Sequence, residues 1–364
     1  MGKKSKKSKN TKNTKNIYKP NVSICTPTFN RRPFFDGLIK CISEQDYPRE
    51  RMEWIIVDDG TDCIKDIIES DKCKELLEGI KIHYYYEKEK MDLGKKRNYM
   101  HEKCTFRNDE DILVYMDDDD YYPPERVSHS VERLTQNKKA LCGGASELYL
   151  WFNVLNKMYK FGPYGPNHGT AGTFAFKRKL LNQTSYQDEA VLAEEKHFLK
   201  NYTVPFVQFD PLKTILVVSH EQNTFDKKRL VNPNNKFCKE STLNVKNFIK
   251  NIELCKFYHS EINEILKTYE PGNVKNKPKV LAEIARRDKE RNEKSEKRGS
   301  GIIMCDNNNN KKELSIGEVK DHLITKNKEC LFLRNKLEEL MKKIKELEEE
   351  NNILKKNNIL KSSE

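Results

Sequence analysis

Ile112-Leu113-Val114-Tyr115-Met116 is an unbroken apolar run that stops at Asp117-Asp118-Asp119-Asp120, before Tyr121-Tyr122-Pro123-Pro124. An apolar run without alternation reads as a strand buried on both faces, the habit of a parallel sheet covered by helices on both sides. In open α/β sheets ligands lie beyond the carboxyl ends of the strands. The four aspartates therefore arrive where a ligand would sit. Adjacent carboxylates repel one another and raise each other's pKa, and a hard divalent cation, which prefers oxygen ligands, removes that conflict. A solvated acidic turn or a loose calcium loop is the plainer reading. Such a turn seldom follows a wholly apolar strand, however, and the proline pair fixes the exit.

Upstream, Val22 to Asn30 reads as a short strand broken by Pro27, followed by a helix from Pro33 with Phe34, Phe35, Leu38, Ile39 and Ile42 on one face. Tyr47-Pro48 closes that helix. Trp54-Ile55-Ile56-Val57-Asp58-Asp59-Gly60 repeats the pattern of a buried strand ending in acids. A helical stretch from Cys63 to Glu78, a strand from Ile80 to Tyr86 and a helix opened by Gly94-Lys95-Lys96-Arg97-Asn98 complete the approach to residue 112. This alternation predicts a parallel, three-layer α/β sheet. No GxGxxG follows the first strand and no P-loop is present, which argues against a dinucleotide fold and a Walker-type ATPase.

Downstream the rhythm changes. After a helix to about Gln136, Glu147 to Phe152 and Lys157 to Phe161 read as a β-hairpin, and Phe161 to Gly169 as a loop serving either as a lid, an acceptor-binding edge or an ordinary connection. Gly169-Thr170-Ala171-Gly172-Thr173 enters a strand of small residues, where a ligand could approach the backbone closely. Glu194-Glu195 sit at a helix start, a position that the helix dipole alone would favour for acids. Thr214 to His220 is another apolar strand, ending in a potential metal ligand. Beyond Tyr269 the composition turns polar. The expected organisation is a disordered basic tail over 1–19, a catalytic domain over 20–268, a polar linker with some helix over 269–318, and a coiled coil over 319–360.

The net charge of +12 over 364 residues invites a nucleic-acid partner, but eight lysines from Lys3 to Lys19 lie in a stretch without acids and leave only +4 for the rest. That tail is too polar to fold, and no specific nucleic-acid partner is expected. The 10 cysteines show no CxxC pair and no zinc spacing. No apolar run is long enough to span a membrane, and no hydrophobic N-terminal segment occurs. A cytoplasmic protein with reduced thiols is the expectation. At the C-terminus Leu333, Leu340, Leu347 and Leu354 recur every seventh residue, with Leu337, Ile344 and Asn351 between them. Leucine at d with one asparagine at a favours a parallel two-stranded coil, hence a homodimer.

Thr26-Pro27-Thr28-Phe29-Asn30, Val57-Asp58-Asp59-Gly60-Thr61-Asp62, the Asp117–Asp120 run, Gly169 to Thr173 and Glu194-Glu195 resemble, in order and spacing, the motifs of glycosyltransferase family 2 enzymes with the GT-A fold. The likeness covers about residues 20 to 230. It implies a three-layer α/β nucleotide-sugar-binding sheet, a divalent metal cofactor (Mn2+ or Mg2+) and a sugar donor linked to UDP. Asp58 and Asp59 would meet the uracil and ribose, with Thr26 and Pro27 lining the same pocket. Asp117 and Asp119 match the DxD pair of metal ligands, Asp118 and Asp120 remain candidates one register away, and Arg97 faces the donor. Gly172 lies in the small-residue segment against the donor. Glu195, where the family has an aspartate, is the catalytic base with Glu194 beside it, and His220 resembles a late histidine that joins the metal or diphosphate. The Asn/Lys-rich flanks resemble those of proteins of large DNA viruses, which would place the chain in host cytoplasm or virion.

The chemistry makes the same demands. Expelling a diphosphate calls for a cation at the leaving group, and the acceptor hydroxyl needs a carboxylate to take its proton. One base without a second catalytic carboxylate implies a single displacement with inversion, unlike the paired carboxylates of a glycosidase. Two rival readings are a nucleotidyl- or phosphoryl-transfer enzyme, which would share the metal and the sheet, and an inactive GT-A-like assembly protein acting through its coiled coil. The acceptor (protein, glycan or lipid) leaves no signature.

Overall fold

In the computed structural model the described residues are 19–192, 195–232, 235–297, 302–305, 311–314 and 316–361. Most of the basic tail, Glu194 and Asn307–Asn310 lie outside them. The chain divides into two compact units, Met1–Glu283 and Ile284–Glu364.

The first unit is built on β1 (Val22–Thr28), α1 (Phe35–Ser43), β2 (Met52–Asp58), α2 (Lys65–Ile68), α3 (Asp71–Leu76), β3 (Lys81–Tyr86), α4 (Leu93–Lys103) and β4 (Ile112–Tyr115). Strands β3, β2, β1 and β4 lie side by side and all parallel. The apolar runs form the inner strands, buried along their whole length, whereas β3, with its polar flanks, takes the half-exposed edge. Successive strand residues face opposite sides. Val22, Ile24, Trp54, Ile56, Ile112 and Val114 pack with α1 in one core, and Cys25, Ile55, Val57, Leu113 and Tyr115 pack with Met100 of α4 in another. Two covered faces make three layers. Fully burying each large apolar side chain contributes about 1.5–3 kcal/mol. Ser70 interrupts the expected helix over 63–78, capping α3 by accepting the Cys73 N–H, so two short helices replace one.

Past the acids come α5 (Arg126–Gln136), β5 (Cys142–Gly144), β6 (Leu148–Phe152), β7 (Lys157–Phe161), β8 (Ala175–Lys177), α6 (Glu195–Phe198), β9 (Phe206–Gln208) and β10 (Leu216–Ser219). Here the expectation of a parallel sheet needs correcting. The seven-stranded sheet runs β3-β2-β1-β4-β8-β5-β9, and β8 is antiparallel to both of its neighbours. The reason is connectivity: a chain entering β8 straight from the small-residue turn beside the end of β4 can only run back along β4. That turn, Ala171–Thr173, is a single 3-10 turn and not part of a strand.

The hairpin β6–β7 forms a second sheet in the order β10-β6-β7-β11, with β11 (Cys238–Glu240). Helices α7 (Val245–Phe248), α8 (Ile252–Lys256) and α9 (Ile262–Thr268) follow. The stretch after residue 268, polar enough to read as linker, is held against the loops that follow β1 and β2 by hydrogen bonds from Asn30 Nδ2 to the Pro271 carbonyl (3.0 Å) and from the Tyr269 hydroxyl to Asp62 (2.8 Å). It leads into α10 (Pro278–Lys297), the helix within the expected linker. The second unit holds the rest of α10, the antiparallel pair β12 (Ile302–Cys305) and β13 (Lys311–Leu314), and α11 (Ile316–Lys361), one continuous helix over the heptad region.

Candidate active site

The corner after β4 is braced from three directions. The Asp117 N–H donates to the Tyr122 hydroxyl oxygen (2.6 Å), Tyr121 bridges Leu216 of β10, and Asp120 Oδ1 accepts the Val218 N–H (2.9 Å). Arg126, fully buried, ties this corner to the small-residue turn by donating to the carbonyls of Tyr115 (3.0 Å) and Phe174 (2.9 Å). Burial lowers its pKa to about 10.

Held in this way, the four carboxylates alternate. Asp118 and Asp120 are buried, the Asp118 side chain 9% exposed, while the side chains of Asp117 and Asp119 keep 27% and 17% exposure. Burial, reinforced by the charge of Asp119, pushes Asp118 up to about 7, and burial likewise pushes Asp120 up to about 8 against the pull of Lys227. Burial acts on Asp119 in the same direction, but a hydrogen bond from His220 and the charges of Arg31 and Lys227 overcome it and hold that carboxyl well below the usual range.

His220 lies at the end of β10 with its Nε2 3.1 Å from Asp119 Oδ2 and its ring 4.8 Å from that of Phe34. Nδ1 accepts the Gln222 N–H (3.2 Å), and Nε2 also lies 2.8 Å from Asn223 Nδ2. Burial lowers this histidine to about 4. Among the described residues no group of three or more His, Cys, Asp or Glu is assembled for a metal. The two half-buried carboxylates, Asp117 and Asp119, suit magnesium or manganese, since such ions keep several waters and take the remaining ligands from phosphate oxygens.

Gly172 and Arg97 both address Asp117. A Cβ on Gly172 would lie 2.9 Å from Asp117 Oδ2. Gly172→Ala is expected to leave the fold intact, because only the end of a flexible side chain must move. Displacing that carboxylate should weaken metal binding about 10- to 100-fold. Manganese titration alongside a thermal melt checks both halves. Arg97 of α4 lies over the Tyr115 ring (4.3 Å) with Nη2 3.5 Å from Asp117 Oδ1.

The residues assigned to the nucleotide pocket lie in β1 and at the end of β2. Thr26 is fully buried, donating to the Met116 carbonyl (2.7 Å) and accepting from Trp54 Nε1 (2.9 Å), so it ties strands together. Pro27 is buried beside it in β1. Asp58 accepts from the Gly60 N–H (2.9 Å), the Ile64 N–H (3.1 Å) and the Tyr84 hydroxyl (2.7 Å), which engages both carboxylate oxygens within the protein. Asp59 pairs with Lys96 (2.5 Å) and accepts the Met91 N–H (2.7 Å). The open space lies further along β1. A cavity of about 260 Å³ is lined by Phe29, Lys90, Met91, Leu93, Lys96 and Lys277 together with other residues of the α4 and α10 entrances. Lys90 stands 3.9 Å over the Phe29 ring.

Glu195 is the first residue of α6. Phe198 of this helix stacks on Tyr186 (4.3 Å) and contacts Phe174 and Phe176, the same aromatic cluster that carries Arg97 through Tyr186. The loop ahead of Glu195 seats on α4 through Gly94 N–H to Ala190 O (2.8 Å). The neighbouring acid Asp188 is engaged by Asn98 (2.7 Å), and Glu194 lies outside the described residues.

Two cations here were missed in the sequence. Arg31 is 3% exposed, donates to the Gln222 carbonyl (2.7 Å) and stands 3.8 and 3.7 Å from Asp118 and Asp119. Lys277 is 7% exposed and within electrostatic reach of both aspartates. Burial, helped by Arg31, lowers its pKa to about 7 while the aspartates pull upward. Neither position carries a local signal, since the contacts that matter span far-apart stretches of chain.

Residues 23–191 match the family model described as Glycosyl transferase family 2. A curated relative, the putative teichuronic acid biosynthesis glycosyltransferase TuaG of Bacillus subtilis (strain 168), is 28% identical over 125 residues, covering 34% of this chain and 45% of the relative. The chain thus spans less than half the length of that relative. Among solved structures, the mannosyltransferase PcManGT from Pyrobaculum calidifontis in complex with GDP-Man and Mn2+ is similar, with a TM-score of 0.42, 19% identity, 53% of this chain and 55% of that chain. S. aureus TarS 1-349 in complex with UDP-GlcNAc has a TM-score of 0.42 and 14% identity, over 72% of this chain and 79% of that chain. The stretch that matches the glycosyl transferase family 2 model, residues 23–191, contains Asp58, Asp59, Arg97, the aspartate run and Gly172.

Proposed function

We propose that this protein is a metal-dependent inverting glycosyltransferase that moves a sugar from a nucleotide donor, most simply UDP-linked, to an acceptor hydroxyl. The observation that carries this reading is the alternation along Asp117–Asp120 inside the family domain, which leaves Asp117 and Asp119 turned out and the two carboxyls between and after them turned in. A divalent cation on Asp117 and Asp119, when bound, supplies positive charge to the leaving diphosphate. The chain's own groups do the rest. Phe29 offers an aromatic face to a nucleobase in the cavity beside it. Arg97 holds Asp117 in place. Glu195 takes the proton of the acceptor hydroxyl as its oxygen bonds to the anomeric carbon and the bond to the diphosphate breaks. Incubation with a panel of nucleotide-sugars, with and without manganese, tests it by release of nucleoside diphosphate. Metal-dependent release from one donor supports the reading, and no release from any donor sinks it.

The same proposal includes a parallel homodimer through α11. In the single chain, Leu333, Leu337, Leu340, Ile344 and Leu347 are 49–64% exposed along this helix, an apolar seam of the width that a second copy would cover. Leu323 extends the seam two heptads upstream of Leu337. Leu340→Glu, or truncation after about Asn310, is expected to give a monomer that retains activity, because every residue with an assigned role lies upstream. Light scattering at tens of micromolar checks this, and a monomeric full-length protein ends the dimer proposal. Among the described residues the cysteines are free thiols, in keeping with the cytoplasmic location we assign, and no helix is long and apolar enough to cross a membrane.

A further inference from the structure

The segment from Tyr269 to Val280 lies beyond the family domain, yet it crosses the carboxyl ends of β1 and β2. It is anchored at both ends. Besides the Tyr269–Asp62 and Asn30–Pro271 bonds, Gln222 Nε2 donates to the Leu266 carbonyl (3.1 Å), Lys90 to the Asn276 carbonyl (3.3 Å), and Lys279 pairs with Asp92 (2.9 Å). It is also braced internally, by Lys275 to Glu270 (2.7 Å) and by Asn276 Nδ2 to the carbonyls of Glu270 and Pro271 (both 3.0 Å). The approach is close enough that a Cβ on Gly272 would lie 2.9 Å from the Asn30 carbonyl oxygen. The seat is therefore built for this backbone.

What the segment delivers is Lys277. Its ammonium is buried beside the aspartate run and donates to the Thr224 hydroxyl (2.8 Å), a neutral partner. Among the described residues no carboxylate forms an ion pair with it. Its neighbour Arg31 is buried as well, and Arg31 Nη1 has no hydrogen-bond partner. Two buried cations with donor capacity to spare repel one another until an anion joins them. Asp118 and Asp119 offset part of that charge but accept no hydrogen bond from Lys277. The position is also the wall of the Phe29 cavity, so an anion held here would be attached to whatever fills that cavity.

We propose that Lys277 and Arg31 bind the diphosphate of the nucleotide donor, and that the Tyr269–Val280 strap is a working part of the donor site. The inference rests on the nucleotide-donor reading above. It assigns the donor site a cation borne by the protein, delivered by a segment that the family domain does not contain.

Calorimetry on the full chain decides it, with UDP, GDP and their nucleosides as ligands, each in EDTA and in manganese. For Lys277→Met, which keeps the length and removes the charge, the Kd for the bound nucleoside diphosphate is expected to rise about 10- to 100-fold in both conditions, as for loss of a charged hydrogen bond. The nucleoside Kd should stay unchanged, and Lys277→Arg should recover most of the loss. Equal losses for nucleoside and diphosphate would make Lys277 a strut of the strap and overturn the proposal, as would an unchanged diphosphate Kd. If the wild-type protein binds no nucleoside diphosphate, the donor reading falls and takes this inference with it. Wild-type binding that Lys277→Met leaves untouched removes the inference alone.

Discussion

Glu195→Gln is expected to lower kcat by about 10²–10⁴ with nucleoside diphosphate affinity at its wild-type level. The amide keeps the size and much of the hydrogen bonding of the carboxylate but cannot accept the acceptor's proton. Phe198 fastens α6 in the aromatic cluster, which keeps the helix in place in the variant. The donor contacts proposed above also lie on other residues, so KM for the donor serves as an internal control. Rapid-quench turnover alongside calorimetry separates the two quantities. Near-normal kcat would clear Glu195 and shift the role to Glu194, since Asp188 is already engaged with Asn98.

Asp119→Ala is expected to abolish manganese-dependent binding of the donor nucleotide, and Asp117→Ala to do the same. Removing a charged group from so crowded a corner ordinarily risks the fold, as breaking a buried ion pair costs about 3–5 kcal/mol. Here a second carboxyl stands ready. Asp118 is pushed up in part by the charge of Asp119 and lies beside the same Arg31, so losing Asp119 lets Asp118 ionise and serve as the counter-charge. The variant should therefore melt cooperatively and lose only the metal-dependent part of its affinity. Calorimetry with UDP and GDP in manganese and in EDTA, next to a melt, reads both. Unchanged metal-dependent affinity in the two variants would remove the DxD assignment.

The legible parts of this protein are those in which one short stretch carries the whole signal. Ile112 to Asp120 predicts its own strand, its burial and its place at a sheet end, and β1, β2 and the hairpin β6–β7 follow from equally local patterns. Misreadings came where the partner is distant or where local chemistry competes. The single helix expected over 63–78 is cut by Ser70, whose hydroxyl caps α3, and a serine directly before Asp71 was a signal that could have been used. The reversed β8 depends on where the chain re-enters the sheet, which no window of residues around Ala175 encodes. Arg31 and Lys277 meet across 246 positions of sequence. In a polar stretch with proline and glycine, a lysine that will be buried has the same neighbours as one left in water.

The reversed strand also sets an order of events in the ribosome's shadow. Until Ala175–Lys177 has been made, β4 has a free edge on the side that β8 will occupy, and about 60 residues separate the end of β4 from the start of β8. At about 5–20 residues per second this leaves that edge open for roughly 3–12 s. An apolar strand with unpaired backbone is a template for joining other chains. The four acids that follow it put like charge at one end of that edge, so two nascent copies meeting there in register would repel each other before their strands could pair. The residues assigned to hold a metal in the finished protein thus also place like charge at the end of a strand whose second edge is unpaired during synthesis.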